Sequence, residues 1–170
     1  MDRRLFLERS HVIVGAFAIV FVFFVTGCDT GSLYEESRDL ENRCWRADSI
    51  FAYQFDAGDS AQAVDLFFTV RNTPAYPFYN LYVKYRLLDS AFTAIDSGMA
   101  HVNLFEPKTG EPYGSGVGGI FSHIFPLSSN VKLSPGKYRL ELEQNMRLDS
   151  IPGIVSIGVR ITPAAQQAVN

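Results

Sequence analysis

The residue best placed for covalent chemistry is Cys28, which closes the tetrapeptide Val25-Thr26-Gly27-Cys28 at the end of an apolar run. Arg3, Arg4 and Arg9 make a basic start, and Val12 to Val25 contain neither charge nor proline. A basic segment, roughly 7–15 apolar residues and small residues at the cut define a secretory signal. The run also falls short of the roughly 20 residues that cross a bilayer. Val-Thr-Gly-Cys resembles the bacterial lipobox, in which the cysteine thiol is diacylated and the chain is cut in front of it. Residues 1–27 therefore read as a lipoprotein signal peptide, with Cys28 as the lipidation site. One acyl chain binds a membrane marginally and two or more anchor it stably, so the membrane is the first expected partner. Arg3-Arg4-Leu5-Phe6-Leu7 also resembles the twin-arginine export motif, with Glu8 where a lysine is usual. The general secretion route is the favoured reading.

Other candidate chemistry is weaker. A phosphate loop needs its glycines followed by Lys-Ser/Thr at a helix start, but Gly114-Ser115-Gly116-Val117-Gly118-Gly119 runs into Ile120-Phe121. That run reads as a loop or bulge where backbones approach closely. His101 and His123 have no cysteine or second histidine at zinc-motif spacing, and no metal or cofactor is expected. His101, between Ala100 and Val102, reads as a structural histidine. Glu141 and Glu143 share a strand face and could mimic a glycosidase pair, but such pairs face each other across a cleft. Two glutamates on one polar face read as solvated. No nucleophile elbow is present. With Cys28 acylated, Cys44 is a lone thiol beside Trp45, read as a small buried hydrophobe.

The elements that must carry these residues are strands. The chain has 170 residues and a net charge of −3, enough for one domain and without the basic balance of a nucleic-acid binder. From Ser49 onward apolar residues alternate. Val64, Leu66, Phe68 and Val70 form the clearest half-buried strand, ended by Asn72-Thr73-Pro74. Leu81, Val83, Tyr85 and Leu87 mark a second, Tyr138, Leu140 and Leu142 a third, and Val155, Ile157, Val159 and Ile161 a last. Phe92–Ile95 and Met99–Leu104 are expected as two further strands with Gly98 as a break or bulge, and Ile120–Leu127 is ambiguous. Ser134-Pro135-Gly136 fits a tight turn. The expected fold is all-β, a single antiparallel β-sandwich of immunoglobulin-like or jelly-roll type, with a barrel as the alternative. The expected layout is 1–27 signal peptide, 28–48 lipidated tether with a short helical turn near Glu35–Leu40, 49–163 sandwich and 164–170 flexible tail.

Several ordered segments resemble the GldH family of gliding-motility lipoproteins of the Bacteroidetes. They are Cys28-Asp29, Tyr34-Glu35, Trp45, Val70-Arg71-Asn72-Thr73, Tyr76-Pro77-Phe78 and Asn80-Leu81-Tyr82. The glycine run, Gly136-Lys137-Tyr138, Glu143-Gln144, Met146-Arg147, Gly153-Ile154 and Val159-Arg160-Ile161 follow. The resemblance implies a non-catalytic envelope lipoprotein at the outer membrane, with protein partners in the gliding or type IX secretion apparatus and no active site to carry over. Arg71, Tyr76 and Arg147 flank breaks in the strand pattern and are the candidate partner surface. The alternative is a glycan-binding sandwich using the aromatics Tyr76, Phe78, Tyr79 and Tyr82.

Asp48-Ser49-Ile50, Asp59-Ser60-Ala61, Asp89-Ser90-Ala91 and Asp149-Ser150-Ile151 resemble the O-glycosylation sequon of the same phylum, and Ser60, in a turn cluster, is the best acceptor. Intact mass of the protein from its host is expected to exceed that of the acylated chain and to lose the excess in Ser60→Ala. A mass equal to the acylated chain rules the modification out.

Overall fold

The computed structural model describes residues 31–164. The signal segment, Cys28 and the last six residues lie outside them. Eleven strands form: β1 (Tyr34–Asp39), β2 (Cys44–Arg46), β3 (Phe51–Asp56), β4 (Gln62–Asn72), β5 (Asn80–Leu88), β6 (Ala94–Asn103), β7 (Ser115–Val117), β8 (Ile120–Leu133), β9 (Lys137–Gln144), β10 (Ser150–Pro152) and β11 (Ile154–Pro163). A five-stranded sheet runs β1-β11-β4-β8-β7, a four-stranded sheet β3-β9-β5-β6, and β2 pairs with β10. Every pairing is antiparallel.

The ladders are nested. β5 pairs with β6, β4 with β8, β3 with β9, β2 with β10 and β1 with β11. The chain thus folds as one long hairpin whose tip is the turn after Leu88, rolled so that alternate ladders fall in opposite sheets. That is jelly-roll topology, and it decides between the two sandwich types expected.

The alternating residues supply the core between the sheets. Val64, Leu66, Phe68 and Val70 of β4 and Ile157, Val159 and Ile161 of β11 are buried from one side. Tyr53 and Phe55 of β3, Leu81, Val83 and Leu87 of β5, and Leu140 and Leu142 of β9 meet them from the other. Burying each large aliphatic side chain stabilises the fold by about 1.5–3 kcal/mol. Trp45 seals one end at 0% exposure, edge-on to Phe51 with ring centroids 5.9 Å apart. Burial pushes the Tyr53 hydroxyl above its ordinary pKa, and it donates to the carbonyl of Ile157 in the opposite sheet at 2.6 Å.

The expected tether over 28–48 is corrected. Residues 34–39 are β1, paired with β11 from Tyr34↔Ile161 to Asp39↔Ser156, so the sandwich starts well before residue 49. Its mostly exposed, charged residues hide it from a periodicity argument. Tyr34 packs against Phe55 at 5.8 Å and the Arg38 guanidinium lies 4.8 Å over the Tyr53 ring, fastening β1 to the facing sheet. The helical turn expected near Glu35–Leu40 is that strand; among the described residues of this region the helical turn is a 3-10 segment at Glu41–Arg43.

Three further expectations change. Phe92 is not in a strand but at φ 61° in the tip turn, 69% exposed. The Asp89 carboxylate holds this turn by accepting the N–H groups of Ala91 and Thr93, each at 2.8 Å. Gly98 is no break: it lies within β6 opposite Tyr85, and the register shift falls at Leu87/Leu88 instead. A Cβ on Gly98 would stand 2.8 Å from the Tyr85 ring, which explains the glycine by close approach. Residues 120–127 belong to the fourteen-residue β8, whose register slips twice against β4, between Val64 and Leu66 and between Leu66 and Phe67.

Gly153 turns the corner between β10 and β11 at φ 83°, where a Cβ would collide with the backbone of Ala75 and Tyr76. Gly110 has φ 72° with open space around it. Urea unfolding should therefore cost Gly110→Ala about 1–2 kcal/mol, the left-handed penalty alone. Gly153→Ala should lose clearly more, because strain and collision add. Equal losses would show that the corner is not close-packed.

Candidate functional site

Three of the buried polar residues, Asn72, Thr73 and His123, gather where β4 ends. Asn72 is fully buried, and its Oδ1 lies 2.9 Å from Nε2 of His123 on β8. Asn72 Nδ2 donates to the Thr73 carbonyl, which leaves Oδ1 as the acceptor and gives His123 the Nε2–H tautomer. The imidazole stacks on Phe125, 5.6 Å between centroids and 13° between planes. Burial holds His123 below its ordinary pKa. The Thr73 N–H donates to Gly153 O at 2.8 Å, the Tyr76 N–H to Thr73 O at 3.1 Å, and the Tyr76 hydroxyl to Asn80 O at 2.6 Å. His123, Asn72, Thr73, Tyr76 and Gly153 are thus one hydrogen-bonded junction.

This junction corrects one candidate. Tyr76 is 4% exposed and its hydroxyl is spent on the backbone, so it presents no partner surface. Arg71 is exposed on β4 in the five-stranded sheet, whereas Arg147 is exposed beside β9 of the four-stranded sheet. The three do not form one patch. Ser60 is exposed in the turn between β3 and β4, as an acceptor site requires. Cys44 is half-buried in β2 rather than fully enclosed. Cys28 lies outside the described residues.

The paired glutamates are not simply solvated either. Glu141 is 8% exposed on the outward face of β9, because Arg86 Nη2 at 2.7 Å and Arg139 Nε at 2.8 Å cover it. Both its oxygens accept from guanidinium groups, so it serves as the anion of a two-arginine clamp across β5 and β9. The glycine run is a hairpin loop in which backbones approach closely, as expected: a Cβ on Gly116 would collide with Ile120 O. Ser115-Gly116-Val117 pairs with Ile120-Phe121-Ser122, and Gly118 and Gly119, at φ 65° and 77°, form the two-residue turn between them. Two positive φ values in succession are what a type I′ hairpin demands. Among the described residues no group of three or more His, Cys, Asp or Glu could hold a metal.

The outer face of the four-stranded sheet carries the surface features that sequence reasoning missed. Two shallow grooves meet at Met99. The first, about 490 Å³, is lined by Ile50, Lys84, Arg86, Gly98 and Glu143 among others. The second, about 380 Å³, is lined by Phe78, Tyr82, Asn145, Met146 and Arg147 besides Met99. Tyr82 stands stacked on His101, its partner across the β5–β6 ladder, at 4.3 Å and 12°. Gln144, 2% exposed, folds the neighbouring loop: its Oε1 accepts the Met146 N–H at 2.7 Å and its Nε2 donates to Leu148 O at 2.9 Å. Only the alternation of β5 hinted at this face, since Tyr82, Lys84 and Arg86 all fall on its polar side.

A jelly roll of two antiparallel sheets, whose open features are shallow grooves, belongs to the class of β-sandwich domains. Residues 32–161 match the family described as GldH lipoprotein. The chain belongs to that family. It is 27% identical over 161 residues to the gliding motility lipoprotein GldH homolog of Christiangramia forsetii, covering 90% of this chain and 96% of that one. It is 25% identical over 168 residues to the gliding motility lipoprotein GldH of Flavobacterium johnsoniae, covering 91% and 96%. Among solved structures it is similar to the pre-peptidase C-terminal domain of a Bacillus anthracis collagenase, with TM-score 0.38, 16% identity and coverage of 78% of this chain and 90% of that one.

His123 sets a pH dependence. Its folded pKa is lowered by burial, so in acid the unfolded chain takes up this proton first. Its contribution to stability is intact above the ordinary histidine value of about 6.5 and is lost as pH falls from there toward the folded value. The urea midpoint should drop between about pH 7.5 and 5.5 in the wild type. It should stay flatter in His123→Gln, and parallel profiles would assign the drop to other groups.

Proposed function

We propose that this chain is a non-catalytic, lipid-anchored component or assembly factor of the gliding-motility and type IX secretion machinery. Acylated Cys28 holds it at the outer membrane, and the jelly roll engages protein partners of the envelope. The observation that carries this reading is where the family's residues go. Asn72, Thr73, Tyr76, Asn80, Gln144 and Gly153, all in the segments that resemble the family, make backbone-closing hydrogen bonds, which supports reading those segments as a scaffold. His123 and Glu141, the buried titratable side chains of the junction and the clamp, are both committed to internal partners. The names of the two relatives, both gliding motility lipoproteins, support the gliding part of this reading.

The test is genetic and biochemical together. In the native host, Cys28→Ser should release the protein from the membrane fraction and reduce colony spreading and secretion as far as deletion does. Mild-detergent purification of the wild type should recover gliding or secretion proteins. Unchanged spreading and secretion in the deletion strain would overturn the assignment. Membrane retention of Cys28→Ser would overturn the anchor.

A further inference from the structure

The four-stranded sheet ends at β6, which among the described residues pairs with β5 alone. The direction of its free groups follows from the ladder beside it. Asn145 N–H donates to Tyr82 O at 2.9 Å, so the backbone of Tyr82 faces β9, as alternation then requires for Lys84 and Arg86. Leu81, Val83 and Tyr85 face β6 and engage Val102, Ala100 and Gly98. The residues between, Ser97, Met99 and His101, aim their N–H and C=O groups off the sheet. The Ser97 N–H is met by the Asp96 carboxylate at 2.8 Å. Met99 and His101 have no such cover among the described residues.

Natural sheets blunt open edges with charge, proline, shortness or a covering segment. The other edges here comply. β1 carries Glu35, Glu36, Arg38 and Asp39, β7 is three residues long, and Tyr34 and Arg38 reach across to β3. β6 is ten residues long, without lysine, arginine or proline, and its one charged residue, Asp96, covers only the Ser97 N–H of that edge. The face beside it is apolar and cationic. Met99 is 55% exposed where the two grooves meet. Lys84 and Arg147 have no ion-pair partner among the described residues, although Lys84 stands in register with Glu143. The Glu141 carboxylate is already taken by two arginines. In a chain of net charge −3, this cationic strip is complementary to carboxylates.

We propose that β6 is a docking strand. An extended acidic segment of a protein partner adds to its free edge, bonding the backbone of Met99 and His101. One apolar side chain of the segment enters the groove between Tyr82 and Met146, and its carboxylates meet Lys84 and Arg147. Strand addition of this kind draws affinity from main-chain bonds and selectivity from alternate side chains. The inference rests on the protein-partner reading above and narrows the partner's chemistry.

The full-length lipoprotein in mild detergent is titrated with a fluorescein-labelled alternating Val-Glu octapeptide, its Val-Lys counterpart and an oligogalacturonate of matched charge, with amide hydrogen exchange read over β6. The acidic peptide should bind at least about tenfold more tightly than the basic one and slow exchange at Met99 and His101. Met99→Pro, which removes an N–H that the β5–β6 ladder does not use, should abolish binding while leaving the unfolding midpoint near wild type. Met99→Leu should retain binding, which separates edge pairing from side-chain size. The double variant Lys84→Glu, Arg147→Glu should reverse the preference between the peptides. Absence of acidic-peptide binding, equal affinity for both peptides, or oligogalacturonate binding without protection of β6 would overturn the proposal, the last in favour of a glycan face. If the titration fails while purification still recovers gliding or secretion proteins, only the docking strand falls. If the titration succeeds and the deletion strain spreads and secretes normally, only the machinery assignment falls.

Discussion

The hydrogen bond from His123 to Asn72 lies at the point where the two arms of the rolled hairpin must be held in step. β4 runs out there, Pro74 forbids its continuation, and the chain has to cross to the other sheet. Buried backbone and side-chain groups at such a crossing are costly unless each finds a partner. Asn72 meets β8 through His123, and Thr73 meets the return arm through Gly153. Tyr76 then closes onto Asn80 and delivers the chain to β5. An outbound strand, its sheet partner and the returning β10–β11 corner are therefore tied together within a few residues. The alternating apolar residues bury whatever register this junction permits.

The two sheets divide the work. The five-stranded sheet contains β11, exposed only at its last residue, and both its edges are closed, by charge at β1 and by brevity at β7. The outward residues of the four-stranded sheet are ordered by cross-strand pairs: Arg86 with Glu141, and Tyr82 with His101. Such pairs each add a few tenths to about 1 kcal/mol to a sheet. They also fix side chains on a surface that would otherwise sample many rotamers, and a surface so ordered loses less entropy when something docks on it.

The strands with a clean period of two were legible in the sequence, because burial on one face writes itself as alternation. β4, β5, β9 and β11 all fall where Val64–Val70, Leu81–Leu87, Tyr138–Leu142 and Val155–Ile161 placed them. β1 was not legible: an edge strand solvated on most of its residues carries no alternation, and Glu35 to Asp39 look the same in a tether. Strand order was equally hidden, since nesting is a relation between segments far apart in sequence. The junction was half visible. Asn72, Thr73, Tyr76 and Gly153 stood out as parts of a family pattern, yet the sequence offered no way to tell inward from outward, and Tyr76 was placed on the wrong side. The unguarded edge of β6 could not be seen at all, because whether a strand is an edge depends on its neighbours and not on its own residues.

The nesting has a consequence for timing. In a rolled hairpin the strands that pair last in sequence are those that begin and finish it, and among the described residues β1 pairs with β11 alone. A chain made from its amino-terminal end presents β1 long before its partner arrives. β1 therefore stays unpaired until almost the whole domain has been made, and the arrival of β11 locks the first strand of the domain last.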